Sequence, residues 1–123
     1  MENKTILVID DSMTDFLYAK KILIHAGYKV VYAPSGKVGI EEAKRSLPAC
    51  ILMDVVMPEM NGFQATRALS REVVTADIPV LMLSAKALET DQVWAQRQGA
   101  KGYLVKPADP GQLLDKLKLL LGN

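Results

Sequence analysis

One cysteine, Cys50, is all that the 123 residues contain. A lone thiol closes no internal disulfide and supplies no metal-binding cluster, so disulfide-scaffold and zinc-site readings fall away. Cys50 lies in the apolar run 49–53, where a buried small hydrophobe is expected rather than a reactive thiol. Long hydrophobic runs are missing as well. No stretch approaches the roughly 20 apolar residues of a membrane span. The opening Met1-Glu2-Asn3-Lys4 is polar and leads straight into a strand-like run, which is not the pattern of a signal peptide. No membrane insertion is therefore expected, and the cytoplasm is the expected location. Charge of one sign is equally scarce: 15 basic residues stand against 14 acidic ones, for a net charge of +1. That balance gives no electrostatic reason for nucleic acid as a partner. Internal repeats and low-complexity tracts are absent.

What is present is a globular balance, half apolar and about a quarter charged, in a length that suits one domain with a real core. Short apolar runs at 5–9, 29–33, 49–53, 78–83 and 102–105 alternate with amphipathic stretches. Four of the runs are nearly continuous in Val, Ile, Leu and Met, the mark of strands buried on both faces in a parallel sheet. The run 29–33 is more polar and suits an edge. The stretches between read as helices. Residues 13–26 carry Met13, Phe16, Leu17, Leu23 and Ile24, with Gly27 as a stop. Ser35 caps a second helix bearing Val38, Ile40, Ala43 and Leu47, which Pro48 ends. Residues 63–71 and 91–98 follow, the latter stopped by Gly99. The last helix has Asp109 as N-cap, Pro110 at its first position, and a stripe of Leu113, Leu114, Leu117, Leu120 and Leu121. Strand then helix, five times, predicts an α/β doubly wound five-stranded parallel sheet with five helices. The strand order is then the flavodoxin-like 2-1-3-4-5.

In such sheets ligands bind beyond the carboxyl ends of the strands, where the strand order reverses, here between strands one and three. Strand one ends in Asp10 and Asp11, strand three in Asp54, strand four in Ser84, and strand five in Lys106. Singly, each has an ordinary explanation: a solvated turn or helix cap, a loop hydroxyl, a surface charge. Together they bring three carboxylates, a hydroxyl and an ammonium to one sheet edge. Clustered carboxylates repel unless protonated or paired with a cation. A hard divalent cation such as Mg²⁺ takes one or two carboxylates together with phosphate oxygens. With the fixed charge of Lys106 and the hydroxyl of Ser84, such a site favours phosphoryl transfer by position and charge, with Asp54 a plausible nucleophile. His25, at a helix end where a cation suits the dipole, is given no site role. Trp94 and the methionines are expected to pack.

The stretches ILVIDDS at 6–12, ILMDVVMPEMNG at 51–62, VLMLSAKA at 80–87 and GYLVKP at 102–107 resemble the response-regulator receiver family, over essentially the whole chain. The resemblance implies that Asp54 is the phosphoacceptor. It implies that Asp11, Asp54 and the backbone carbonyl of Val56 bind Mg²⁺ directly, while Asp10 acts mainly through water. Lys106 would contact a phosphoryl oxygen. Ser84 and Tyr103 would be the switch hydroxyl and aromatic, reshaping the face made by helix four, strand five and helix five. The Lys106–Pro107 bond would be cis, and Gly62 would serve a tight turn after the active-site loop. The resemblance further implies a single receiver domain over 1–123 with no output domain, a histidine kinase or histidine phosphotransfer domain as donor, and output by protein–protein contact or as a phosphate sink. It implies a phosphoacceptor signalling domain rather than an enzyme in the ordinary sense, catalysing its own phosphotransfer and slow autodephosphorylation. The stretches NGFQATR at 61–67 and DQVWAQRQGAKGYLVKP at 91–107 resemble single-domain receivers of type IV pilus twitching motility. Val56, Lys86 and Ala108 depart from frequent family choices beside the site, which bears on phosphoryl lifetime and kinase docking.

Two other classes compete. A flavodoxin-like cofactor binder would want a hydroxyl- and glycine-rich phosphate loop where Asp10-Asp11 stands. A phosphorylation-independent interaction module would not need Asp10, Asp11, Asp54, Ser84 and Lys106 intact together. A haloacid-dehalogenase-type phosphatase would need a D-x-D spacing after strand one, which is absent.

Overall fold

The computed structural model describes residues 4–86 and 88–122. Strands and helices alternate along the chain. They run β1 (Thr5–Ile9), α1 (Met13–His25), β2 (Lys29–Ala33), α2 (Gly36–Ser46), β3 (Cys50–Asp54), α3 (Gly62–Arg71), β4 (Val80–Ser84), α4 (Glu89–Arg97), β5 (Gly102–Val105) and α5 (Pro110–Leu121). All strand pairings are parallel, and the order is β2-β1-β3-β4-β5. The more polar run 29–33 is the edge strand β2, as its composition predicts.

Side chains on a strand point alternately to the two faces, and the sheet builds a core on each. Leu7, Ile9, Ile51, Met53, Val80 and Met82 pack with Ala43 of α2, Ala65 and Leu69 of α3, and Ala95 of α4. Ile6, Val8, Cys50, Leu52, Leu81 and Leu83 pack with Phe16, Ala19 and Leu23 of α1 and with Leu113 and Leu117 of α5. The three central strands are covered on both sides, which is why their sequences are continuous rather than alternating.

Several helix ends follow the expected chemistry. Ser12, Ser35 and Asp109 accept at their N-caps from Asp15, Val38 and Gln112 backbone N–H groups. Asn61 and Gln64 form a reciprocal capping box at α3. Gly27 and Gly99, with φ of +95° and +108°, turn the chain after α1 and α4.

Other expectations are corrected. α4 begins at Glu89 rather than 91, and β4 at Val80 rather than 78, while β3 is shifted by one residue to include Asp54. Met13, Leu17 and Ile24 of α1, and Val38 and Leu47 of the α2 region, are exposed. Trp94 is 48% exposed instead of packed, because α4 buries only Ala95. Gly62 sits at the first position of α3 rather than in a turn. A Cβ there would collide with the backbone carbonyl of Asp54, so close approach is what requires glycine.

Candidate functional site

The carboxyl ends of β1, β3, β4 and β5 lie side by side, and the parallel register fixes which residues meet. Ile9 pairs with both Ala33 and Met53, Asp54 with Leu83, and Ser84 with Val105. Asp10 and Lys106, one residue beyond β1 and β5, extend the ladders: Asp10 N–H donates to Ala33 O at 3.1 Å and Lys106 N–H to Ser84 O at 2.7 Å. The predicted residues therefore arrive at one edge on rigid strands.

Asp10 and Asp54 are buried and Asp11 is exposed. Each offers a carboxylate oxygen within 4.8 Å of the others. Lys106 Nζ donates to Asp10 Oδ2 at 2.8 Å, to Asp54 Oδ1 at 3.1 Å and to Asp15 Oδ2 at 2.8 Å. Ser12 N–H donates to Asp10 Oδ1 at 2.9 Å, and the Tyr32 hydroxyl donates to Asp10 O at 2.9 Å. Asp10 is thus fixed at both its carboxylate and its carbonyl.

The charges press on one another. Burial, and then the negative charge of Asp10, push the Asp54 carboxyl from its ordinary 3.8 up to about 7, while Lys106 pulls it down and Asp11 adds to the rise. Burial works against the Lys106 ammonium, but hydrogen bonds to Asp10 and Asp15 and the charge of Asp54 outweigh it and hold the ammonium above its usual range. The site is poised for added positive charge. An all-oxygen donor set of this size fits a hard divalent cation such as Mg²⁺.

Ser84 is fully buried, and its Oγ accepts from Lys86 N–H at 3.1 Å. The Tyr103 hydroxyl donates to Lys86 O at 3.1 Å, so both groups bond the backbone of the same residue after β4. Val56 lies in the β3–α3 loop with its side chain exposed. The Lys106–Pro107 bond is cis. Sequence reasoning missed Asp15, whose placement in the first turn of a helix reads as ordinary dipole chemistry. It also missed Tyr32, whose ring stacks on Phe16 at 4.0 Å between centroids.

A doubly wound sheet with an acidic cluster and a lysine at its switch point defines a class, and the comparisons agree. Residues 6–118 match the model of the response regulator receiver domain, and the chain belongs to that family. It is similar to the protein PilH of Pseudomonas aeruginosa, with 43% identity over 118 residues, covering 96% of this chain and 98% of PilH. It also matches transcriptional regulators of which it spans about half the length. Among solved structures, the chemotaxis protein CheY4 of Vibrio cholerae superposes with a TM-score of 0.91 at 31% identity, covering 98% of this chain and all of that one. The receiver domain of the sensor histidine kinase PA1611 from Pseudomonas aeruginosa has a TM-score of 0.91 at 27% identity, covering 99% of this chain and all of that one. That structure has a magnesium ion coordinated in its active-site cleft.

Proposed function

We propose that this receiver accepts a phosphoryl group on Asp54 from a phosphohistidine of a histidine kinase or histidine phosphotransfer domain. The observation that carries the reading is Asp54 Oδ1 meeting Lys106 Nζ at 3.1 Å within the Asp10, Asp11 and Asp54 cluster. An Asp54 carboxylate oxygen attacks phosphorus, the P–N bond breaks, and its electron pair returns to the donor imidazole. Lys106 turns its ammonium to a phosphoryl oxygen, and Ser84 offers a hydroxyl donor. Asp10, Asp11, Asp54 and the Val56 carbonyl are the groups that would hold Mg²⁺, which when bound supplies positive charge against the phosphoryl oxygens. The chain promotes its own phosphorylation and slow dephosphorylation rather than turning over a separate substrate.

Ser84 and Tyr103 then transmit the change, since both bond the backbone of Lys86. The exposed Leu88, Val93, Trp94 and Val105 support the face of α4, β5 and α5 as the surface read by a protein target. As a single receiver domain the chain signals by that contact or drains phosphate as a sink. Among the described residues no helix is long and apolar enough to cross a membrane, and we place the protein in the cytoplasm. The resemblance of residues 61–67 and 91–107 to single-domain pilus receivers supports an output in type IV pilus twitching motility. Incubation with phosphoramidate and Mg²⁺, read by intact-mass spectrometry, tests the reading. Wild type gains one phosphoryl group and Asp54→Asn gains none; equal labelling of both contradicts it.

A further inference from the structure

Lys106 Nζ spends its three protons on three carboxylates, Asp10 and Asp15 at 2.8 Å and Asp54 at 3.1 Å. Two of these partners belong to the acidic cluster, where cation and phosphoryl group compete with the lysine for the same oxygens. Asp15 does not belong to it. It stands on α1, in the turn that Ser12 caps by accepting from Asp15 N–H at 3.2 Å, and Ser12 N–H in turn donates to Asp10. Asp15 is therefore held on a helix, at a fixed distance from the cluster.

The lysine needs such a hold. Its four-carbon stem is flexible and its ammonium is a point charge. Beside it lies a cavity of about 320 Å³ lined by Thr14, Asp15, Tyr18, Lys106 and Ala108, among others. Packing alone leaves the stem room to swing away from Asp54. Asp15 is about half exposed, with 45% of its side chain accessible. A solvent-reached ion pair adds little to stability, so holding the ammonium in place is the better account of this contact.

We propose that Asp15 is a positioning residue that keeps the Lys106 ammonium at the mouth of the site while Asp10 and Asp54 are engaged by cation and phosphoryl group. The proposal rests on the phosphoacceptor reading. Asp15 touches no reacting atom and acts through Lys106.

The test compares Asp15→Ala, Asp15→Asn and Asp15→Glu with wild type in two measurements. The first is amine labelling of metal-free protein, with Lys106 read by peptide mass spectrometry against the exposed Lys101 and Lys116 as internal references. The second is the initial rate of phosphorylation by phosphoramidate with Mg²⁺. Folded Asp15→Ala and Asp15→Asn should label several-fold faster at Lys106 alone and phosphorylate roughly tenfold more slowly, as loss of orientation predicts. Asp15→Glu should recover both to within about twofold, because it keeps a carboxylate in reach. Wild-type labelling at Lys106 in folded Asp15→Ala overturns the proposal, and so does faster labelling with an unchanged phosphorylation rate. If wild type itself takes no phosphoryl group, the phosphoacceptor reading fails first and the proposal falls with it, an outcome separable from the other two.

Discussion

Strand β3 has a titratable side chain at each end, and both are buried. Cys50 opens it and is fully enclosed among Ile6, Phe16, Leu23 and Leu113. Burial pushes its thiol up to about 12, so it behaves as a small hydrophobe. Asp54 closes the strand at the switch point, faces Asp10, Asp11 and Lys106, and is pushed from its ordinary 3.8 to about 7, into the range where a carboxyl titrates near neutral pH. Burial disfavours the charged form in both cases. What separates them is what each strand end faces. The amino end of β3 is buried in the core, whereas its carboxyl end lies at the switch point, where β1 leads to α1 on one face of the sheet and β3 to α3 on the other. Position along one strand decides whether a buried acid is inert or chemically useful.

The sharpest way to break the contrast is to remove the cation at the carboxyl end. Lys106→Ala leaves Asp10 and Asp54 buried without their ammonium. Phosphorylation by phosphoramidate should fall about a hundredfold. Urea unfolding of metal-free protein at neutral pH should show a loss of about 3 kcal/mol. An unchanged rate would show that the lysine does not serve the transfer.

A second, smaller effect is the pH profile of stability in metal-free protein. The folded-state value of Asp54 is raised above its ordinary 3.8, so the folded state binds more protons than the unfolded between pH 3.8 and about 7. Stability should therefore fall as pH rises through that window, by about 2 kcal/mol once solvent reach into the cleft is discounted, and level off above it. Denaturant titrations should show that slope in wild type and not in Asp54→Asn. A slope common to both would place the titration elsewhere.

The smallest effect lies at the other end of the strand. Cys50→Ala should cost about 1 kcal/mol through lost packing and leave phosphorylation unchanged. In native wild type, a thiol reagent should label Cys50 only at the rate of unfolding. Fast labelling would show that the two ends of β3 are not as different as their burial implies.

The same contrast explains what was legible beforehand. β1, β3 and β4 could be read because a doubly covered strand must be apolar throughout, and the more polar run 29–33 suited an edge; the equally apolar run 102–105 did not reveal that β5 is the other edge and only partly buried. The candidate site was legible because strand ends are fixed by the sheet, so Asp10, Asp54, Ser84 and Lys106 reach one edge whatever the helices do. Helix facing was not legible. α1 carries two apolar rows, and the row that packs, Phe16, Ala19 and Leu23, includes an alanine, while the larger Met13, Leu17 and Ile24 face water. Trp94 misled by its size, because α4 presses only Ala95 onto the sheet. Asp15 was invisible because its partner lies at the far end of the chain, and no local pattern distinguishes it from any first-turn acid.

Titration with beryllofluoride, an imitation of a phosphoryl group on a carboxylate, tests the central claim most directly. It would be run with and without Mg²⁺ on wild type and Asp54→Asn, and read by amide NMR shifts and by the fluorescence of the exposed Trp94. The account predicts saturable, Mg²⁺-dependent shifts in wild type that spread from Asp54 to Ser84 and Tyr103 and vanish in Asp54→Asn. Well-folded wild type that shows no shift with Mg²⁺ present would contradict it and favour a phosphorylation-independent interaction module.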